Sequence, residues 1–362
     1  MSSDLYADAA RQFAICNACR YCEGFCAVFP AMEKRTSFGE ADIDYLANLC
    51  HDCRECYYAC PFTPPHTFAV NIPKTLASAR TETYKKFTRP KPLALLFEKQ
   101  RMYGGLLLPA SLLMFVFVAA MGDPSRLFVA QAAVGSFYGI IPFPVIAGAG
   151  LLSLGCVLLL WAQGALDYWR EIHGSVTDMF NAKAIRSSLR EAFAHTWFKG
   201  GGAGCNYPRE EAGARRLYLH SMVFFGFGLD LLSTVSAAVY QDILGVLPPY
   251  GYFTAPVLLG TVGGVMIVAG TVGLTYLKAK SEKLLTYRAT LDTDYLFMLL
   301  LGSVAFTGMG TLVLRDTPYM GIAFAIHMGF VLSVFLLAPY GKFLHFVYRY
   351  AALLKRGLEE AA

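Results

Sequence analysis

The amino-acid sequence predicts an all-α protein in two parts, a small soluble N-terminal domain followed by a bundle of six transmembrane helices. Three observations predict this. The 362 residues are 56% hydrophobic and only 16% charged, whereas soluble proteins usually carry nearer 25% charge. The apolar residues are concentrated after residue 103. Eight of the ten cysteines, in contrast, lie within the first 60 residues.

Six segments are long and apolar enough to cross a bilayer. They are residues 104–122, 143–166, 217–239, 255–277, 293–314 and 318–347. The sixth contains Pro339, which predicts a kink or a tilt. Of the 31 Lys and Arg residues, only Arg126 and Arg315 lie in the loops on one side of the predicted bundle. This asymmetry predicts a multi-pass protein with both termini in the cytoplasm.

The predicted spans divide the chain into four parts. These are a soluble domain (1–84), a basic membrane-proximal linker (85–103), the transmembrane bundle with a long cytoplasmic loop (104–347, loop 167–216) and a cytoplasmic tail (348–362). The linker is expected either to lie on the membrane face or to be an ordinary positively charged flank of the first membrane segment. Apolar residues at helical spacing between Thr177 and Trp197 predict an amphipathic helix at the membrane surface or against the soluble domain. Helical spacing also predicts short helices over 4–15 and 40–49.

The eight N-terminal cysteines form two runs with the same spacing, C-x2-C-x2-C-x3-C, and Pro61 follows the second run. This pattern is typical of ferredoxins with two clusters, in which the fourth cysteine of each run binds the other cluster. The sequence therefore predicts an α-helical ferredoxin-like domain with two [4Fe–4S] clusters. The first is predicted to be held by Cys16, Cys19, Cys22 and Cys60, and the second by Cys50, Cys53, Cys56 and Cys26.

Two other readings of the cysteines are weaker. Disulfides need an oxidising compartment, and the polar stretch from Met1 to Phe13 does not resemble a signal peptide. Structural zinc sites prefer two Cys-x2-Cys pairs. Of the remaining cysteines, Cys156 is expected in the apolar core. Cys205, which follows a glycine-rich stretch, is expected to be a free loop thiol or to have a structural role.

Three of the seven histidines lie in or at the ends of predicted membrane segments, where ionisable side chains are functional candidates. His220 and His345 are both predicted near the cytoplasmic surface, where they can face each other and ligate one haem iron. His327 precedes His345 by eighteen residues, five helical turns or about 27 Å, and has no predicted histidine partner at its depth. The other four, His51, His66, His173 and His195, are expected to be solvated or structural.

The stretch from His327 to His345 resembles the final haem-bearing helix of the respiratory nitrate reductase gamma subunit, including its Leu-x-Pro-aromatic element. Arg215-Arg216-x3-His220 resembles the other haem helix of that family. The resemblance implies a six-helix cytochrome b bundle with one haem b on His220 and His345. In that family a second histidine follows ten residues later, where this chain has Asp230, so a second haem on His327 stays open. Asp230 is expected to serve either quinone protonation or helix packing.

Motifs along nearly the whole chain resemble the tricarballylate utilization protein B family, also labelled citrate utilization protein B. They are the two cysteine runs with their neighbours, Gly-Gly-Gly-Ala-Gly-Cys205-Asn-Tyr-Pro, and Pro339-Tyr-Gly-Lys-Phe-Leu-His345. The resemblance implies a protein of the bacterial cytoplasmic (inner) membrane that reoxidises the flavin of an FAD-dependent tricarballylate dehydrogenase or similar flavoenzyme. The electrons would pass through two [4Fe–4S] clusters and haem b to the membrane quinone.

Three functions compete on the residues themselves. The favoured one is an electron-transfer component of an oxidoreductase system, positioned between a flavoenzyme and quinone in the lipid bilayer. A catalytic redox subunit of the heterodisulfide-reductase kind would need a further cysteine-rich region. A transporter or scaffold would need paired charges in several membrane segments. Nucleic acid is not an expected partner, because the net charge of +5 is modest and the basic residues flank apolar segments.

Overall fold

The structure, a computed structural model, describes residues 2–202 and 204–361. Most of the described residues are helical, and the sheet among them is one two-stranded hairpin. The all-α class predicted from the sequence is confirmed.

Five helices build the N-terminal domain, and they are α1 (Ser2–Cys19), α2 (Val28–Glu33), α3 (Glu40–Leu49), α4 (Glu55–Tyr58) and α5 (Ile72–Phe87). The helix α3 begins after Gly39, whose N–H donates to the Asp42 carboxylate at 3.1 Å. Its apolar residues, with Leu46 and Leu49 fully buried, form the core between α1 and α5. The carboxylate of Asp44 accepts hydrogen bonds from Tyr6 of α1 (2.7 Å) and Thr83 of α5 (3.0 Å), which joins the three helices.

Six helices are long and apolar enough to cross a membrane. They are α6 (Gln100–Gly122), α8 (Phe143–Glu171), α10 (Arg215–Ala238), α11 (Ala255–Ala279), α12 (Arg288–Leu314) and α13 (Met320–Leu337), and the short α7 (Phe137–Ile140) precedes α8. Many large apolar side chains on their outer faces are exposed, as expected where lipid covers the surface. The protein is therefore a multi-pass membrane protein.

Small residues let the membrane helices pack closely. A Cβ atom added to Gly263 of α11 would lie 2.7 Å from the carbonyl oxygen of Gly226 on α10 and would meet the Asp230 carboxylate. At Gly329 of α13, an added Cβ would lie 2.7 Å from the Cα of Leu112 on α6. The apolar segments therefore dock through their backbones at these positions.

The last predicted span is not one helix. A 3₁₀ turn over Ala338–Tyr340 follows α13, and the final helix, α14, covers Leu344–Ala361. Proline lacks the N–H that would continue the helix, and Gly341 after the turn is extended. The single helix expected over 318–347 is therefore wrong, and the tail expected from 348 belongs to a helix that begins at Leu344. His327 and His345 lie on different helices, so the five-turn spacing does not describe their separation.

The long loop between α8 and α10 packs against the N-terminal domain and α14. It contains α9 (Ala182–Phe193) and a hairpin of β1 (Cys205–Asn206) and β2 (Ala212–Gly213). Ile185 and Trp197 pack on the core that α3, α5 and α14 share, whereas Phe180 is 78% exposed. The apolar face expected between Thr177 and Trp197 is thus only partly covered by protein.

Charged side chains join the N-terminal domain to the end of α8. The Lys86 ammonium lies 3.1 Å from Asp44 of α3 and 2.6 Å from Glu171 of α8. Arg89 pairs with Asp167 of α8. Two cations of the basic linker therefore bind carboxylates of this chain.

Candidate redox sites

The first cysteine set comprises Cys16 and Cys19 at the end of α1, Cys22 in the loop that follows, and Cys60 after α4. Cys16 interacts electrostatically with the other three thiols. The four line one recess together with Cys56 of α4, and it holds about 390 Å³ of empty space that is partly open to solvent. Cys19 is exposed, so this set lies at the surface of the domain.

The second set comprises Cys26, Cys50, Cys53 and Cys56. Cys56 interacts electrostatically with each of the other three. The chain between them turns tightly through Asp52 and Arg54, which both have positive φ. The Asp52 N–H points at the Cys50 sulfur at 3.4 Å. Cys26, Cys50 and Cys53 are buried, so this set lies deeper than the first.

The cysteine environments oppose free thiolates. Burial, and after it the neighbouring thiols, raises the pKa of Cys16 and of Cys22 to about 12. Burial and Cys50 likewise raise the pKa of Cys26 to about 12. Bound metal reverses this preference, because it stabilises the deprotonated sulfur. Four cysteines gathered in this way are therefore suited to a positively charged inorganic centre.

No three His, Cys, Asp or Glu side chains converge on a single ion position within residues 2–202 and 204–361. A mononuclear zinc site requires such convergence. A [4Fe–4S] cluster takes each thiolate on a different iron atom, so its cysteines surround a volume. The recess lined by the first set has this character, and the donor set of four thiols fits an iron–sulfur cluster.

His220 lies on α10 and His345 on α14. The Nδ1–H of His345 donates to the Lys342 carbonyl oxygen, which leaves its Nε2 with a free lone pair. Nδ1 of His220 is buried without a hydrogen-bond partner among the described residues. The two imidazoles are close enough to interact electrostatically. A buried nitrogen without a partner is costly, and both rings present nitrogen that is suited to haem iron.

His327 has a different environment. Its Nδ1 lies 3.1 Å from the Thr307 hydroxyl of α12. A Cβ on Gly308 would approach the same ring at 3.1 Å, so the imidazole packs tightly on that helix. Asp230, in contrast, packs against Gly263 with its Oδ1 unpartnered among the described residues.

An aromatic cluster connects the second cysteine set to His220. Phe198 shares a buried cluster with Cys53, and its ring centroid lies 4.5 Å from that of His220. His195 lies 5.0 Å from His220 and 5.6 Å from Phe198. His51, next to Cys50, lies 5.6 Å from Phe198. We call Phe198, His51, His195 and His220 the aromatic bridge.

Sequence reasoning missed this bridge. His51 and His195 are 9% and 5% exposed, and burial lowers the pKa of each imidazole. Both are structural as expected, and neither is solvated. Their place against His220 depends on how the loop after α8 folds back, and no spacing in the sequence carries that information.

Of the two alternatives expected for Cys205 the structure shows the structural one, and Cys156 differs from expectation. Cys205 is fully buried in β1, donates to the Phe198 carbonyl at 3.1 Å and packs beside Cys53. It is a packing residue next to the second set and not a loop thiol. Cys156 is exposed on α8, so the expectation of a core position is wrong, because that helix face points to lipid.

Comparison with known proteins covers both parts of the chain. Residues 9–86 match the Citrate utilization protein B Fer4-like domain, and residues 98–362 match Citrate utilization protein B. The chain is 42% identical to Citrate utilization protein B of Escherichia coli over 356 residues, which is 98% of this chain and 92% of that protein. No solved structure matches it. Because the matches span the cysteine-rich domain and the membrane helices alike, the chain belongs to the citrate utilization protein B family.

Proposed function

We propose that this protein transfers electrons from the reduced flavin of a cytoplasmic dehydrogenase to quinone in the membrane. Two findings support the proposal. The N-terminal domain is Fer4-like, and six apolar helices attach it to a membrane. An electron-transfer domain fixed to a bilayer is suited to join a soluble donor to a lipid-soluble acceptor.

The proposal assigns the cofactors to named residues. Cys16, Cys19, Cys22 and Cys60 would hold one [4Fe–4S] cluster, and Cys50, Cys53, Cys56 and Cys26 the other. His220 and His345 would ligate one haem b. Bound in these places, the groups supply one-electron steps, which divide the two-electron oxidation of a flavin. The Nδ1 contact of His327 with Thr307 leaves its Nε2 open, as in His345, but Asp230 stands where the nitrate reductase gamma family has its second histidine, so we do not assign His327 a second haem.

The observation that carries the proposal is the packing that runs from the second cysteine set to His220. Cys53 packs in one cluster with Phe198, and the Phe198 ring lies 4.5 Å from His220. His220 in turn interacts with His345. The proposed metal ligands of the two parts of the chain are therefore separated by one aromatic side chain.

The side chains around this junction would orient the ligands and exclude water. The Lys342 carbonyl fixes the tautomer of His345. Phe198 is 4% exposed and His195 5% exposed, so the space beside His220 is dry. A dry surrounding strengthens the electrostatic control that nearby charges have over a redox centre.

The family suggests the partner. The relative from Escherichia coli is named for citrate utilization, and the motif resemblance implies tricarballylate dehydrogenase. We propose an FAD-dependent dehydrogenase of such a tricarboxylic acid as electron donor. The distribution of Lys and Arg supports an N-terminal domain on the cytoplasmic side, and we propose that the membrane is the inner membrane of a bacterium.

A reduced-minus-oxidised absorbance spectrum of the purified protein tests the haem assignment. His220→Ala and His345→Ala should each lose most of the b-type signal. His173→Asn, which changes an exposed histidine at a positive-φ position, should retain it. Full signals in both alanine variants would refute the assignment.

The donor needs a separate experiment. Membranes that contain the protein should oxidise the reduced tricarballylate dehydrogenase faster than membranes that lack it. Equal rates would reject this partnership and leave the cofactor assignment intact.

A further inference from the structure

Three arginines from three different helices converge on the backbone beside the second cysteine set. They are Arg80 of α5, Arg216 of α10 and Arg349 of α14. Arg80 is buried, and the other two are half-buried. None of the redox steps proposed above uses their charge.

All three guanidinium groups donate to carbonyl oxygens of one short segment. Arg80 Nη2 lies 2.7 Å and Arg349 Nη2 2.6 Å from the Cys50 oxygen. Arg216 donates to the oxygens of His51 (2.9 Å) and Asp52 (2.6 Å). Their further bonds reach Ala47 and Asn48 of the same stretch.

Each of these arginines donates two hydrogen bonds to this segment, but its charge is not balanced by direct pairing. No carboxylate lies within 4.0 Å of any of the three guanidinium groups in the described parts of the chain. Arg35, in contrast, pairs with both Asp42 and Glu359. Nearby Asp52 pairs with Arg54 at 3.4 Å. The segment therefore carries an excess of positive charge.

Among the described residues, no comparable group of arginines surrounds the first cysteine set. Its recess opens to solvent and Cys19 is exposed. The charged side chain that acts on Cys22 is the acidic Glu55. Water and salt screen the more distant charges at such a surface.

A buried, unpaired cation is costly unless an opposite charge is supplied. Four thiolates around an iron–sulfur core supply it, and positive charge nearby favours the reduced form of a cluster. We propose that Arg80, Arg216 and Arg349 balance the charge of the cluster on Cys26, Cys50, Cys53 and Cys56, and raise its reduction potential above that of the cluster on the first set. This inference rests on one part of the proposed function, namely that the protein binds both [4Fe–4S] clusters.

The consequence is a direction for electron flow. An electron that enters at the exposed first set is more stable at the second set, which lies beside Phe198 and His220. The arginines act through the electrostatic field that their charges create at the cluster. They are therefore positioning residues.

The test is a redox titration of the full-length protein, followed by EPR of the reduced clusters. Arg80→Gln removes one charge, and Arg80→Lys keeps it. For the higher-potential cluster, Arg80→Gln should lower the ratio of reduced to oxidised cluster at a fixed potential at least tenfold, which is 59 mV for one electron. Arg80→Lys should restore most of the ratio. The control Arg11→Gln changes an exposed, paired arginine of the same domain and should change neither cluster.

A second variant identifies the clusters without depending on the folding of the arginine variants. Cys19→Ser should alter the EPR signal of the lower-potential cluster. If it alters the higher-potential one, the order is reversed and the inference fails. It also fails if both clusters are present in Arg80→Gln with unchanged potentials. A folded protein with no iron–sulfur signal would refute the proposed function itself.

Discussion

Asp44 holds three helices of the N-terminal domain together, so Asp44→Ala should destabilise the protein strongly. Its side chain is fully buried and accepts hydrogen bonds from Tyr6, Thr83 and Lys86. All three bonds end on the carboxylate, and hydrogen bonds to charged groups contribute about 1.5–3 kcal/mol each. Removing one partner of a buried charged pair costs about 3–5 kcal/mol, so we expect a loss of at least about 3 kcal/mol.

The matched control uses the same lysine. Glu40 lies 3.8 Å from the Lys86 ammonium with 63% of its side chain exposed. Such a surface pair contributes about 0–1 kcal/mol, so Glu40→Ala should have little effect.

Thermal unfolding of the detergent-purified protein, followed by far-UV circular dichroism, measures the difference. A domain of this size shifts its midpoint by about 4–8 °C per kcal/mol. Asp44→Ala should therefore lower the midpoint of the domain's transition by roughly 12 °C or more, and Glu40→Ala by less than about 8 °C. If the two variants melt together, Asp44 does not hold the three helices as described.

Two further variants examine the membrane packing and Cys205. Gly263→Val should push α10 from α11, cost about 1–3 kcal/mol or more and lower the melting midpoint. The control Gly148→Val, at a site with no neighbour within 4 Å, should leave the midpoint unchanged. Equal midpoints in the two variants would contradict the close packing. Cys205→Ser should keep iron and acid-labile sulfide at the wild-type level, because a hydroxyl can also donate to the Phe198 carbonyl, whereas Cys53→Ser should lose part of both. An equal loss in Cys205→Ser would make Cys205 a ligand.

The fold class could be predicted because its signals are local. Six apolar runs, each long enough to span a bilayer, need no tertiary information, and the six apolar helices are confirmed. The family could also be predicted, because its motifs are contiguous in the sequence. The grouping of the cysteines followed from spacing alone, and their role as cluster ligands stays a prediction.

The end of the chain shows why the bounds of helices are harder to predict than the fold class. The apolar run through Pro339 looked continuous, and the sequence does indicate a kink there. Whether a proline bends a helix or ends it depends on what receives the following residues. Here α14 leaves the bundle and packs against α9 and α3, with Tyr348 and Leu353 buried, so the chain turns instead of continuing.

The aromatic bridge and the three arginines could not be found from the sequence. Phe198, Arg80 and Arg349 are far apart in the chain and belong to no motif. Their positions follow from the docking of the loop after α8 and of α14 onto the N-terminal domain. Arg216 adjoined a recognised motif, yet its contact with the Asp52 carbonyl is a tertiary feature.

The central claim is that inorganic clusters in the N-terminal domain exchange electrons with a haem on α10 and α14. The most direct measurement is to reduce the purified protein with limiting dithionite without oxygen, and then follow cluster and haem absorbance after adding a short-chain quinone. The account predicts that both signals reoxidise in the wild type, and that haem reoxidation is lost in His345→Ala. Well-folded wild-type protein that contains neither acid-labile sulfide nor porphyrin would contradict it.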